Sequence, residues 1–278
     1  MNWLKAAICS IVLAAMCCAA QNVKISALSS GNPAQSGDLI PVARSGSNFS
    51  ITAGSIAGAP GTNAYLMDDF TCPTFNAGQA GCLLWNLGGS GSSTASYTGT
   101  TTGNYWGAVT CATAATATNN CSYSENHATY PVAYTAFTGG SIAIRSLISA
   151  TTNINFFAGI VNANASYGEG AAGYAGVAYS TSASDSGWMC VVYDGTTKVR
   201  TAVAGTLDTN FHTFTITWTA AKTIQCQVDG GTATSMASTH FPTDNNETPE
   251  VSVDNNGVAN IRSFSIDYYY HNLTGLSR

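Results

Sequence analysis

The sequence predicts an all-β protein, an antiparallel β-sandwich preceded by a short N-terminal β/loop segment. Three observations carry this. Residues 211–231 alternate apolar and polar side chains in two runs joined by a short turn. Similar runs recur from Tyr65 onward between Gly, Asn and Asp turns, and no helical period of useful length accompanies them. Hydrophobic residues make up 45% of the 278-residue chain and aromatics 10%, enough to fill a full core.

The hairpin at 211–231 is the clearest element. His212, Phe214, Ile216 and Trp218 alternate with Thr213, Thr215 and Thr217, and Ile224, Cys226 and Val228 alternate with Thr223, Gln225 and Gln227. Successive strand side chains point to opposite faces, so one face is apolar and the other a threonine and glutamine row. An apolar face needs a second sheet over it. Further strands are expected at Ser141–Ile148, Ile154–Val161, Ala175–Tyr179, Trp188–Tyr193, Val199–Val203 and Arg262–His271. In the last, Phe264, Ile266, Tyr268 and Tyr270 read as core-facing, leaving Ser265, Asp267, Tyr269 and His271 outside.

Ahead of these strands, residues 1–20 read as a secretory signal peptide. Lys5 precedes a short apolar core that ends in small residues, and cleavage after Ala20 would leave Gln21 first. The run falls short of the roughly 20 residues of a comfortable membrane span, so the mature chain is expected to carry none. A retained anchor and a lipidated Cys17 are the alternatives, though Met16 before that cysteine disfavours lipidation. Residues 21–63 hold two short apolar stretches, Leu39–Val42 and Phe49–Ile51, and end in a Gly/Pro linker. The sandwich is expected over 64–278.

Export fits the cysteines. Three of the nine (Cys9, Cys17 and Cys18) lie in the leader, leaving Cys72, Cys82, Cys111, Cys121, Cys190 and Cys226. An even set in an exported chain favours disulfides, and the pairs expected are Cys72–Cys82, Cys111–Cys121 and Cys190–Cys226. No cysteine or histidine spacing suits zinc. Only 8% of residues are charged, with a net charge of -5 and pI near 5.1, which argues against phosphate-contacting nucleic-acid binding.

Two family resemblances follow from particular residues. Asp68-Asp69-Phe70, the hairpin ending Gln227-Val228-Asp229-Gly230 and the closing Phe264-Ser265-Ile266-Asp267-Tyr268 resemble the concanavalin A-like lectin/glucanase (LamG-like) jelly roll. The resemblance implies two packed antiparallel sheets and, in many members, carbohydrate binding on the concave face. It also implies a structural calcium that Asp267 would help bind, with Asp68 nearby if the first and last strands pair; a plain strand aspartate is the alternative. Separately, ISAL, GDLIPVAR and SITAGSI within residues 21–63 resemble the attachment segment of bacteriophage tail-fibre and appendage proteins.

Catalytic motifs are missing from the sequence. Retaining glycosidases place two carboxylates on one face about 5 Å apart, and the Glu-x-Asp-x-x-Glu strand of the resembling enzymes does not occur. Glu169 stands in a glycine-rich loop, Glu125 follows a cysteine-bearing loop, and Glu247 and Glu250 fall in a polar, proline-containing connection. The expectation is therefore a non-catalytic, secreted or virion-associated module. Its partner would be a cell-surface or extracellular polysaccharide, with self-association into an oligomer also in view. A hydrolase or lyase of the same fold and a fibre subunit are the competing functions. Sugars stack on aromatic rings beside Asn, Asp and backbone groups. The ring candidates are Tyr105 and Trp106 in a Gly/Thr-rich loop, with Trp85, Trp188 and Tyr269; Tyr193 is a further one, and packing in the core is the competing role for each.

Overall fold

The computed structural model describes residues 39–44, 47–52, 63–68, 79–80, 85–89, 93–98, 107–124, 137–162, 168–171, 173–236, 240–242 and 247–276. The leader, Cys72, Cys82, Tyr105, Trp106 and Glu125 lie outside them. The chain divides into two compact units, Met1–Ala57 and Gly58–Arg278.

In the first unit, β1 (Leu39–Arg44) and β2 (Ser47–Thr52) form an antiparallel hairpin, with Leu39 opposite Thr52 and Arg44 opposite Ser47. The two short apolar stretches are its strands.

In the second unit come β3 (Asn63–Asp68), β4 (Gln79–Ala80), β5 (Trp85–Gly89), β6 (Thr94–Thr98), β7 (Ala108–Ala112), β8 (Asn120–Ser124) and β9 (Phe137–Ile148). They continue with β10 (Asn155–Asn162), β11 (Tyr174–Ser180), β12 (Met189–Tyr193), β13 (Lys198–Ala202), β14 (His212–Trp218) and β15 (Ile224–Val228). The last are β16 (Thr234–Met236), β17 (Glu247–Asp254) and β18 (Ser263–Leu276). Among the described residues the only helical element is one 3-10 turn, Gly168–Gly170.

These strands build two antiparallel sheets. Sheet I runs β16-β15-β14-β9-β18-β7-β6, with β3 also on β18; sheet II runs β13-β12-β11-β10-β17-β8-β5-β4. One core lies between them. Phe156, Val177, Val192, Val253 and Tyr123 of sheet II meet Ile144, Phe214, Ile216, Trp218 and Phe264 of sheet I. The hairpin behaves as its alternation requires, since β14 is buried at every second residue and Trp218 is 3% exposed. Asp229 and Gly230 close the end of β15 at positive φ (52° and 69°). The Asp229 carboxylate accepts the Thr213 N–H at 2.8 Å.

Both described disulfides join the sheets. Cys111 of β7 bonds Cys121 of β8, and Cys190 of β12 bonds Cys226 of β15. Cys111–Cys121 is the local pair expected, and Cys190–Cys226 the pair expected from the cysteines that remained.

Two strands depart from expectation. The segment around Glu247 and Glu250 is not a loop but β17, paired with β10 along its length and with β8 from Glu250 onward. Pro249 cannot donate to a ladder, and it stands one residue before the β8 pairing starts. The strand therefore keeps both neighbours beyond it. In β18 the register slips between Ile266 and Tyr268, where Ser146 faces Ile266 and Arg145 faces Tyr268. Asp267 is the extra residue of a β-bulge, which inverts the alternation after it. Phe264 and Ile266 face the core as expected, but beyond the bulge Tyr269, His271 and Leu273 take that side, each at most 3% exposed.

Candidate functional site

Among the described residues, a cavity of about 430 Å³ lies on the outer face of sheet II. Strand registers explain its floor. Side chains at 155 and 157 of β10, 252 and 254 of β17, 120 of β8 and 180 of β11 share this face because their neighbours point into the core. Cross-strand pairing aligns Ser180, Asn155, Asp254 and Asn120 into one row perpendicular to the strands. With strands about 4.8 Å apart, that row is a polar shelf crossing four strands.

The shelf is wired by hydrogen bonds. Asn155 Nδ2 donates to Asp254 Oδ1 at 2.9 Å, and Ser180 Oγ donates to Asn155 Oδ1 at 2.7 Å. Ser182 Oγ reaches the same Asn155 oxygen at 3.1 Å, and the Asn256 N–H donates to Asp254 at 2.6 Å. Burial raises the Asp254 carboxyl above its ordinary value, the backbone and Asn155 donors pull it down, and the charge of Glu169 raises it further.

The wall is the 3-10 turn. Gly168 sits so close to Ser252 and Phe157 that a Cβ there would stand 2.5 Å from Ser252 Oγ. Its φ of 56° suits glycine as well. Its N–H donates to the Glu250 carboxylate at 2.5 Å. Glu250 is 3% exposed, and desolvation pushes its carboxyl up to about 7 against the pull of the Gly168 and Ser252 hydrogen bonds. Beside it, Glu169 binds Lys198 Nζ at 2.5 Å and the Arg200 guanidinium, which also pairs with Asp185. The turn is thus clamped from below by Glu250 and from the side by two cations.

Chemically this is a hydrogen-bonding surface of amides, hydroxyls and carboxylates. Glu250, with a pKa suited to proton transfer, is sealed beneath Gly168. His212 is held between Asp208 (3.0 Å) and Asp229 (2.6 Å), His240 by Asp194 (2.6 Å), and His271 by the Tyr269 hydroxyl (2.6 Å), none of them among the cavity's lining groups.

Three of the expected rings are core instead. Trp85 packs edge-on against Tyr269 with centroids 4.9 Å apart, across the two sheets. Trp188 packs on Phe214 at 4.9 Å and donates its indole N–H to the Thr206 carbonyl at 2.9 Å. All three are at most 1% exposed, Tyr269 because the bulge turned it inward. The first and last strands of the second unit do pair, placing Asp68 opposite Tyr269. Asp267, however, binds the Arg145 guanidinium, and a cation already at that carboxylate does not fit calcium. Among the described residues no trio of His, Cys, Asp or Glu could hold a metal. Of the residues that make or support the cavity, Glu169 and Glu250 figured in the sequence reading, both as acids of connecting segments. The signal for the rest was the alternation Glu250-x-Ser252-x-Asp254 between Val251 and Val253, which Pro249 obscured.

No protein-family model and no curated protein matches the chain. Solved structures are similar to it. A protein of unknown function from Shewanella oneidensis MR-1 superposes with a TM-score of 0.57 and 14% identity over 78% of this chain and 89% of its own. A carbohydrate esterase from the Shiga toxin-encoding bacteriophage phi24B gives 0.42 at 16% identity, over 68% of this chain and 90% of its own. The Emp46p carbohydrate recognition domain gives 0.45 at 12% identity, over 67% and 87%. The first of these shows a shared two-sheet fold, and at that identity fold is all it shows.

Proposed function

We propose that the chain is an exported, non-catalytic carbohydrate-binding module whose ligand lies in the sheet II cavity. The observation that carries this is the row Ser180–Asn155–Asp254–Asn120, which opens into a cavity of about 430 Å³ lined by amides, hydroxyls and carboxylates. Polyhydroxylated ligands need such alternating donors and acceptors, and a prewired row presents them with little ordering cost. The disulfides suit an oxidising, extracellular setting. Residues 1–20 direct export, and 21–63 attach the sandwich to a larger surface or appendage, in a cell envelope or a virion. The partner is an extracellular polysaccharide.

A polysaccharide array probed with the purified chain tests this. Retention on at least one polysaccharide is expected, with loss of retention in Asn155→Ala. No retention on any surface would overturn the proposal.

A further inference from the structure

The charges of the cavity set which saccharides it accepts, an inference that rests on the glycan reading above. Its lining carries three charged groups, Glu169, Lys198 and Asp254. Lys198 is held by Glu169, and the nearby Arg200 bridges Glu169 and Asp185, so both cations already face carboxylates of the protein. Asp254 is different. Its Oδ1 accepts from two neutral donors, Asn155 Nδ2 and the Asn256 N–H, and its Oδ2 has no partner among the described residues. The charge that acts on it is Glu169, another anion.

We propose that the cavity selects uncharged, polyhydroxylated saccharides and rejects their uronic-acid counterparts, with Asp254 Oδ2 accepting a ligand hydroxyl. A carboxylate without a cation is a strong acceptor for O–H donors. The same carboxylate repels a ligand carboxylate a few ångströms away, where water is partly excluded and screening is weak. Asn155, Ser180 and Ser182 beside it are neutral and can serve either hydroxyl or ring oxygens.

The test is calorimetric titration of the full chain at low ionic strength with hexamers of glucose, galactose and mannose. Each is set against the matching glucuronate, galacturonate or mannuronate hexamer. In any pair that binds, the neutral oligomer is expected to bind at least about tenfold tighter, the equivalent of roughly 1.4 kcal/mol. Asp254→Asn keeps an oxygen for Asn155 and Asn256 and should shrink that ratio to about threefold or less. Lys198→Gln, which uncovers Glu169, should widen it. Melting curves establish that both variants are folded, and either one alone still reads the ratio. A uronate binding as tightly as its neutral partner, or a ratio unmoved by Asp254→Asn, overturns the charge rule. If that uronate binding is lost in Asn155→Ala, the glycan site stands and only the charge rule falls. No binding by any of the six hexamers overturns the charge rule, and the glycan reading falls with it where the array too retains nothing.

Discussion

At the scale of single residues, Glu250 and His271 pull stability in opposite directions with pH. The Glu250 carboxyl is raised from 4.5 to about 7 by burial. The folded state therefore holds a proton that the unfolded chain releases, and the stability this provides is full below pH 4.5 and lost as pH rises through 7. The shift corresponds to about 3 kcal/mol. His271 is lowered from 6.5 to about 4 by burial, so its effect has the opposite sign and stability is lost as pH falls from 6.5 towards 4. The two nearly offset each other over much of that range. Glu250→Gln retains an acceptor for the Gly168 N–H but no titration. Its melting temperature should rise relative to wild type as pH increases from 4.5 to 7, read by thermal melts across that range; parallel curves would refute the assignment. Tyr269 offers a second residue-scale check. Tyr269→Ala should cost about 3–5 kcal/mol in urea unfolding, whereas Tyr270→Ala, on the outer face of the same strand, should cost about 1 kcal/mol or less.

At the scale of elements, β18 shows how one residue decides a face. Alternation placed Phe264 and Ile266 in the core correctly, and nothing in the sequence marked Asp267 as an inserted residue, so every assignment beyond it inverted. Deleting Asp267 removes the bulge while leaving Ile266 and Tyr269 core-facing. It should cost only the Arg145 ion pair and some local twist, about 1–2 kcal/mol. Deleting Asn272 instead would turn Leu273 outward and should unfold the sheet. Circular dichroism with urea titration of the two deletions distinguishes them, and equal losses would contradict the bulge. The hairpin β14–β15 was fully legible because no bulge interrupts it. In β17 the period-two signal was present but short, and a proline stood inside it. The site was correspondingly hard to read, since its floor is assembled by register across β8, β10, β11 and β17, and register is not written in any one segment.

At the scale of the whole sandwich, the two sheets are fastened to each other by covalent bonds. The loops closed by Cys111–Cys121 and Cys190–Cys226 span sequence separations of 10 and 36, which in the chain-entropy view correspond to about 3 and 4 kcal/mol. Cys190→Ala/Cys226→Ala should therefore lose more stability than Cys111→Ala/Cys121→Ala, read as midpoints of guanidinium unfolding. The reverse order would contradict this account of the staples. The sequence left fifteen pairings of six cysteines open, and the two described disulfides match the pairing favoured among them; the chemistry of the cavity, built from residues far apart in sequence, did not show. Its claim to bind a saccharide is met most directly by titrating wild type and a folded Asn155→Ala variant side by side with polysaccharides retained on the array. Saturable binding is expected for wild type, and at least about tenfold weaker binding for the variant. Equal binding by the two, with matching melting curves, would contradict the assignment of this cavity as the site.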